Sequence, residues 1–254
     1  MFHFRAIFHI LGLLMILNGI FMASILPVCW IQESGDFNDL LISAAISANL
    51  GALIWFLTRK TKRELSKRDG YLVVTFGWII LGLTGAVPFL LSGAIPSIPS
   101  AIFETISGYT TTGASILNDI ESLPAGLMLW RSMTQWIGGM GIIVLTIALL
   151  PLFGVGGVEL FMAEAPGPSS GKIHPKITDT AKRLWIIYVL LTACEAVLLK
   201  LAGMSWLDAV NHSFTTMSTG GFSTKNASIA AFNSPQIEYI ITAFMLVGGI
   251  NFSM

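Results

Sequence analysis

Two short stretches of this chain carry residue types that could do chemistry: Thr110-Thr111-Thr112-Gly113-Ala114-Ser115 and Ser218-Thr219-Gly220-Gly221-Phe222-Ser223. What such runs offer is backbone. Glycine takes angles that other residues resist, so the carbonyl oxygens of Thr110 to Gly113 and of Ser218 to Gly221 can turn toward one axis and replace a cation's hydration shell. Catalysis is poorly served by comparison. His212 and Ser213 are adjacent, so on a helix they point apart and cannot share a proton. His3, His9, His174 and His212 form no cluster with acidic residues at metal-ligand spacing, and Cys29 and Cys194 both lie in apolar stretches. An intramembrane hydrolase is therefore a weak reading.

The elements that must hold these stretches are membrane spans. The 254 residues are 54% hydrophobic and 11% charged, with mean hydropathy +0.76, which excludes a soluble globular domain. Charge-free or nearly charge-free runs lie at Ala6 to Gln32, Leu40 to Thr58, Gly70 to Phe103, Ser132 to Val158, Leu184 to Gly203 and Tyr239 to Met254. About 20 residues make one crossing, so six spans are expected. The first run is longer than the apolar part of a signal peptide, no small-residue cleavage site follows it, and it reads as a retained helix.

Eleven of the 14 basic residues fall on one side when the N-terminus is placed in the cytoplasm: Arg5, six from Arg59 to Arg68, and Lys172, Lys176, Lys182 and Arg183. The Arg59 to Arg68 cluster reads as a stop-transfer and headgroup contact, and the balance of 14 basic and 14 acidic residues argues against nucleic acid as a partner.

Between a span at Tyr71 to Gly93 and one at Leu127 to Leu149, the apolar segment Ala94 to Phe103 is too short to cross, and a re-entrant half-helix is expected. The arrangement recurs: a span at Leu184 to Gly203, a short segment Ser205 to Thr216, then a span from about Gln236. A shift of 108 lays Ala101, Ile102, Thr105, Ser107, Thr110, Thr111, Gly113 and Ser115 on Ala209, Val210, Ser213, Thr215, Ser218, Thr219, Gly221 and Ser223. Each copy is followed by a proline (Pro124, Pro235) and a glycine pair (Gly138-Gly139, Gly248-Gly249), read chiefly as close-packing surfaces. Both half-helices would enter from outside and aim their carbonyl ends at mid-membrane, which favours a cation. Ser205 with Asp208 reads as a capping-box start for the second.

Three charged residues stand out: Arg131, expected to snorkel outward; Glu195, within a span near its outer end and expected to be partly solvated or paired with Lys200; and Glu104, inside the first half-helix, which could attract cations or stabilise the helix start.

Ser107-Gly108-Tyr109-Thr110-Thr111-Thr112-Gly113-Ala114-Ser115, Gln135-Trp136-Ile137-Gly138-Gly139-Met140-Gly141 and Ser218-Thr219-Gly220-Gly221-Phe222-Ser223 resemble the TrkH/TrkG potassium-uptake proteins of bacteria, in the superfamily that includes KtrB. The resemblance runs the whole length, including two helices before the first repeat and the Pro166-Gly167-Pro168 loop. It implies an all-α polytopic membrane protein of tandem helix–pore-loop–helix repeats, two of the four expected, behind two extra transmembrane helices. The divisions are 1–69 (two helices and a basic cytoplasmic loop), 70–154 (first repeat), 155–182 (cytoplasmic loop) and 183–254 (second repeat).

The resemblance further implies potassium uptake across the bacterial inner membrane, with potassium as substrate and no cofactor. Thr110, Thr111, Thr112, Gly113, Ser218, Thr219, Gly220 and Gly221 would form the filter, with potassium held through Thr111, Thr112, Gly113, Thr219, Gly220 and Gly221. Gly113 is the filter glycine of the first repeat; in the second it is Gly221, or Gly220 if the register is one shorter. A homodimer and a cytosolic nucleotide-binding regulatory subunit, TrkA, are implied partners. TrkA would face loops such as Gly154 to Arg183, although Gly154-Val155-Gly156-Gly157 itself lacks the lysine of a phosphate loop. The third and fourth repeats, with their gating loop and late-helix arginine, are absent from this sequence, so the chain reads as the truncated N-terminal half of a transporter. The alternative is a non-conducting remnant or assembly subunit.

Overall fold

The computed structural model describes residues 3–59, 67–141 and 174–249. Most of the basic cluster between Arg59 and Arg68, the segment from Ile142 through the Pro166-Gly167-Pro168 loop, and the last five residues lie outside the described residues. Among the described residues there is no strand. Also among the described residues, four helical stretches are long and apolar enough to cross a membrane: Phe4–Ile31, Phe37–Thr58, Arg68–Leu91 and Lys182–Leu201. The spans expected from Leu127 and from Gln236 begin as helices and then run into residues outside the described set.

The first apolar run is two helices, α1 (Phe4–Ala23) and α2 (Leu26–Ile31). Pro27 explains the break: it lacks an N–H, and its ring would strike the carbonyl of Ala23 in a continuous helix. The next helix, α3 (Phe37–Thr58), crosses α1 at backbone distance. A Cβ added to Gly12 would stand 2.8 Å from the Gly51 carbonyl oxygen, and one on Gly51 2.6 Å from that of Gly12. Ser47 Oγ donates to Met15 O at 2.8 Å. This is how membrane helices associate without a hydrophobic driving force, through small residues and a few buried hydrogen bonds. Leu50, Leu53, Phe56 and Leu57 on α3 remain exposed, as a lipid-facing surface requires.

Two units follow. The first is α4 (Lys67–Leu91), the short α5 (Ile98–Tyr109), an irregular loop and α6 (Ala125–Gly139). The second is α7 (His174–Leu201), the short α8 (Trp206–Met217), a loop with a 3-10 turn at Ser228–Phe232, and α9 (Pro235–Gly249). Both bounds of α8 equal those of α5 shifted by 108, the shift at which the two sequences match. Ser205 caps α8 as expected: its Oγ accepts from Asp208 N at 3.0 Å and donates to Asp208 Oδ2 at 2.6 Å.

Buried polar pairs tie the elements together. His3 Nδ1 pairs with Asp69 Oδ2 at 2.7 Å, which puts the starts of α1 and α4 at one end of the bundle. At the other end Leu127 N donates to Asp36 Oδ2 at 2.6 Å, joining the starts of α3 and α6. Asn18 on α1 donates to Thr84 of α4 at 3.0 Å and accepts from Tyr109 of α5 at 2.5 Å. Between the units, Trp136 stacks on Tyr188 and Phe214, and its Nε1 donates to Thr192 Oγ1 at 3.1 Å.

Candidate ion-path site

The chain leaves both short helices by the same backbone route. After α5, Thr111 N donates to Gly108 O at 2.9 Å and Thr112 N to Ser107 O at 3.0 Å; after α8, Thr219 N donates to Thr216 O and Gly220 N to Thr215 O, each at 2.9 Å. The left-handed residues also correspond: Thr111 (φ 52°) with Thr219 (55°), and Gly113 (76°) with Gly221 (80°). Non-glycine residues at positive φ are strained and persist where surroundings over-determine them. A matched pair in each loop marks one built conformation used twice. Of the two candidates in the second loop, Gly221 is thus the backbone counterpart of Gly113. Gly220 plays another part: it is buried against the amide of Gln135, and its carbonyl oxygen abuts Gly113, where an added Cβ would collide with it. The two loops therefore meet backbone to backbone at Gly113 and Gly220. Gly221 instead faces open space, beside a cavity of about 310 Å³ lined by Thr215, Thr219, Ile241 and Met245 among others.

One face of α6 supports both loops. Arg131, Gln135 and Gly138–Gly139 follow one another at i, i+4 and i+7/i+8, so they stack along one side of the helix. Gly138 touches the carbonyl of Tyr109, where α5 ends, and Gly139 touches Ser218, where α8 ends; a Cβ on either would clash. At 1.5 Å per residue, Gly138 lies roughly 20 Å below the start of α6. The short helices thus end beside the far part of α6, inside the helix bundle, where the irregular backbone is surrounded by protein. Gln135, fully buried, accepts from Phe222 N through Oε1 at 3.0 Å.

Arg131 does not snorkel. It is 2% exposed, its Nε donates to Glu104 Oε1 at 2.6 Å, its Nη1 donates to Ser223 O at 3.1 Å, and its guanidinium lies 3.6 Å from the Phe222 ring centroid. Inside the bundle an opposite charge, a carbonyl and a facing ring thus answer the buried guanidinium. Glu104 sits inside α5, 1% exposed, and its carboxylate also accepts from Ser115 Oγ at 3.0 Å and Ile116 N at 2.8 Å. Glu195 is fully buried and makes no pair with Lys200, whose ammonium donates instead to Met204 O at 3.3 Å.

Outside the loops a polar clasp joins the units. Asn226 accepts from Ile120 N at 2.8 Å and donates to Glu121 and Asp119, each at 3.2 Å, and Lys225 pairs with Glu121 at 3.3 Å. Sequence reasoning missed Gln135 and misplaced Arg131. Their i, i+4, i+7 spacing with Gly138 along a nearly charge-free span was the available signal, since polar residues in such a span face protein.

Paired short helices and loops of matched backbone, braced inside a bundle of apolar helices, define an all-α polytopic membrane protein of the helix–pore-loop–helix class. The chain belongs to the TrkH cation transport protein family, whose model matches residues 38–254. It is 46% identical over 256 aligned residues to the Trk system potassium uptake protein TrkH of Escherichia coli K12, a match covering 99% of this chain and 53% of that protein. It is 36% identical to TrkG of the same strain, across 99% of this chain and 52% of TrkG. The crystal structure of the potassium transporter TrkH from Vibrio parahaemolyticus superposes with a TM-score of 0.83 at 39% identity, covering 99% of this chain and 51% of that one. The chain spans about half the length of the curated relatives it matches.

Proposed function

We propose that this chain is the membrane subunit, or half of it, of a Trk-type system that takes up potassium across the bacterial inner membrane, N-terminus in the cytoplasm. The ion passes a filter of backbone carbonyls from Thr110 to Gly113 and Ser218 to Gly221. Gly113 and Gly221 are its paired filter glycines. The observation that carries this reading is the duplicated backbone: two loops, 108 residues apart, share left-handed Thr and Gly positions at the deep ends of two short helices. Carbonyl dipoles at those ends favour a cation. The units 70–154 and 183–254, behind the two helices of 1–69, supply two quadrants of the ion path. The cytoplasmic segment 155–182, whose residues from His174 on belong to α7, serves a cytosolic nucleotide-binding partner of the TrkA kind, and the subunit pairs as a homodimer.

The test is growth at limiting potassium in a strain lacking its own uptake systems. One arm produces this chain alone; a second joins it in frame to the C-terminal half of the Escherichia coli relative. Rescue in either arm, with rubidium uptake that exceeds sodium uptake, supports the reading. Stable membrane insertion without rescue in both arms contradicts it and favours a non-conducting assembly subunit.

A further inference from the structure

Gln135 stands behind both loops and belongs to neither. Its amide orientation is fixed by chemistry: Phe222 N–H, 2% exposed in its residue, needs an acceptor and finds Oε1 at 3.0 Å. That turns Nε2 toward the junction of Gly113 and Gly220. Nε2 is fully buried, and its hydrogens find no acceptor among the described residues. A Cβ on Gly220 would meet the whole amide, 2.4 Å from Oε1 and 2.7 Å from Nε2, while one on Gly113 would lie 3.7 Å from Nε2. A buried donor without an acceptor is costly, and natural structures keep few of them. Here the cost falls at the contact between the two loops that line the proposed ion path.

One turn earlier, Arg131 holds the next carbonyl, Ser223 O, and covers the Phe222 ring. The backbone that leaves Gly221 is therefore gripped from the first unit at two consecutive residues.

We infer that Gln135 is a positioning residue that sets ion preference. Its Oε1 clamps the backbone after Gly221 from behind, and its Nε2 offers a hydrogen bond to the loop carbonyls at the Gly113–Gly220 junction whenever they swing off the ion. The first unit thereby controls the cavity size of the second loop. A filter discriminates between cations by where its carbonyls can sit, so loosening this clamp changes the ratio of ions admitted more than the rate.

The inference rests on the filter reading above, and the experiment separates the two. In the transport-competent form identified by growth rescue, Gln135→Leu keeps the volume and removes the acceptor. Gln135→Asn keeps the amide but withdraws it by one methylene, and serves also if the leucine variant fails to insert. Gln135→Glu retains an acceptor at the Oε1 position. The readout is the potassium-to-sodium uptake ratio at matched amounts of inserted protein. The ratio is expected to fall about tenfold, the equivalent of ~1.4 kcal/mol, in the leucine and asparagine variants and to fall less with glutamate, which keeps the acceptor but loses the Nε2 donor. An unchanged ratio in both Gln135→Leu and Gln135→Asn, or an equal loss in all three, overturns the clamp. A wild-type protein that transports without preferring potassium overturns the filter reading itself.

Discussion

Glu104 and His212 occupy the same position in the two short helices, and each holds the serine eleven residues further on: Ser115 Oγ lies 3.0 Å from Glu104 Oε1, and Ser223 Oγ 3.1 Å from His212 Nε2. The same brace is thus built from different chemistry. Only the first copy carries a net charge that needs answering, and Arg131 answers it. His212 is held by a second bond at Nδ1 to the Asp208 carbonyl, 2.8 Å away.

Removing one member of the Glu104–Arg131 pair leaves the other charge buried, at a cost of about 3–5 kcal/mol. Arg131→Met alone should therefore lower the thermal unfolding midpoint of the detergent-solubilised protein sharply. Adding Glu104→Gln to it should recover part of the loss. A double-variant loss equal to the sum of the losses in Arg131→Met and Glu104→Gln separately would show that the pair contributes no coupling.

The glycine pairs behave differently. Gly138→Ala and Gly139→Ala drive a methyl into the Tyr109 carbonyl and into Ser218, so folded yield should collapse. Gly248→Ala meets nothing nearer than 3.4 Å, and Gly249→Ala meets nothing within 4 Å. Both should insert and fold at wild-type levels, as read by size-exclusion chromatography in detergent.

The helix starts differ as well. Ser205 caps α8 through its hydroxyl, whereas Ser97, the corresponding residue before α5, makes no side-chain cap bond. Ser205→Ala should cost about 1 kcal/mol and Ser97→Ala close to nothing, measured by denaturant titration.

Local signals made much of this legible beforehand. The second short helix, expected at Ser205 to Thr216, lies at Trp206–Met217, whereas the first, expected at Ala94 to Phe103 from hydropathy, lies later, at Ile98–Tyr109; Ser205 with Asp208 marked a cap because both partners lie in one turn. What the sequence did not disclose were relationships spanning units: Arg131 meets a carbonyl 92 residues away, and Gln135 a backbone amide 87 residues away. Hydropathy treats an arginine near the end of a span as solvated, because it knows nothing of the carboxylate on a neighbouring helix. Lys200 went astray for the opposite reason. A glutamate five residues earlier suggested a pair, but five residues turn a helix well past the i, i+4 face, and the ammonium caps its own helix end instead.

The central claim, a carbonyl filter with paired glycines, is tested most directly by ion preference. Gly113→Ser forces a side chain onto a residue at φ +76° against the Gly220 carbonyl, and Gly221→Ser forces one at φ +80° into open space. In the form that rescues growth, both should lower the rubidium-to-sodium uptake ratio at matched amounts of inserted protein; Gly221→Ser should insert at wild-type levels, whereas Gly113→Ser, which collides with the Gly220 carbonyl, should also lower the inserted amount. Wild-type ratios in both variants would contradict the filter.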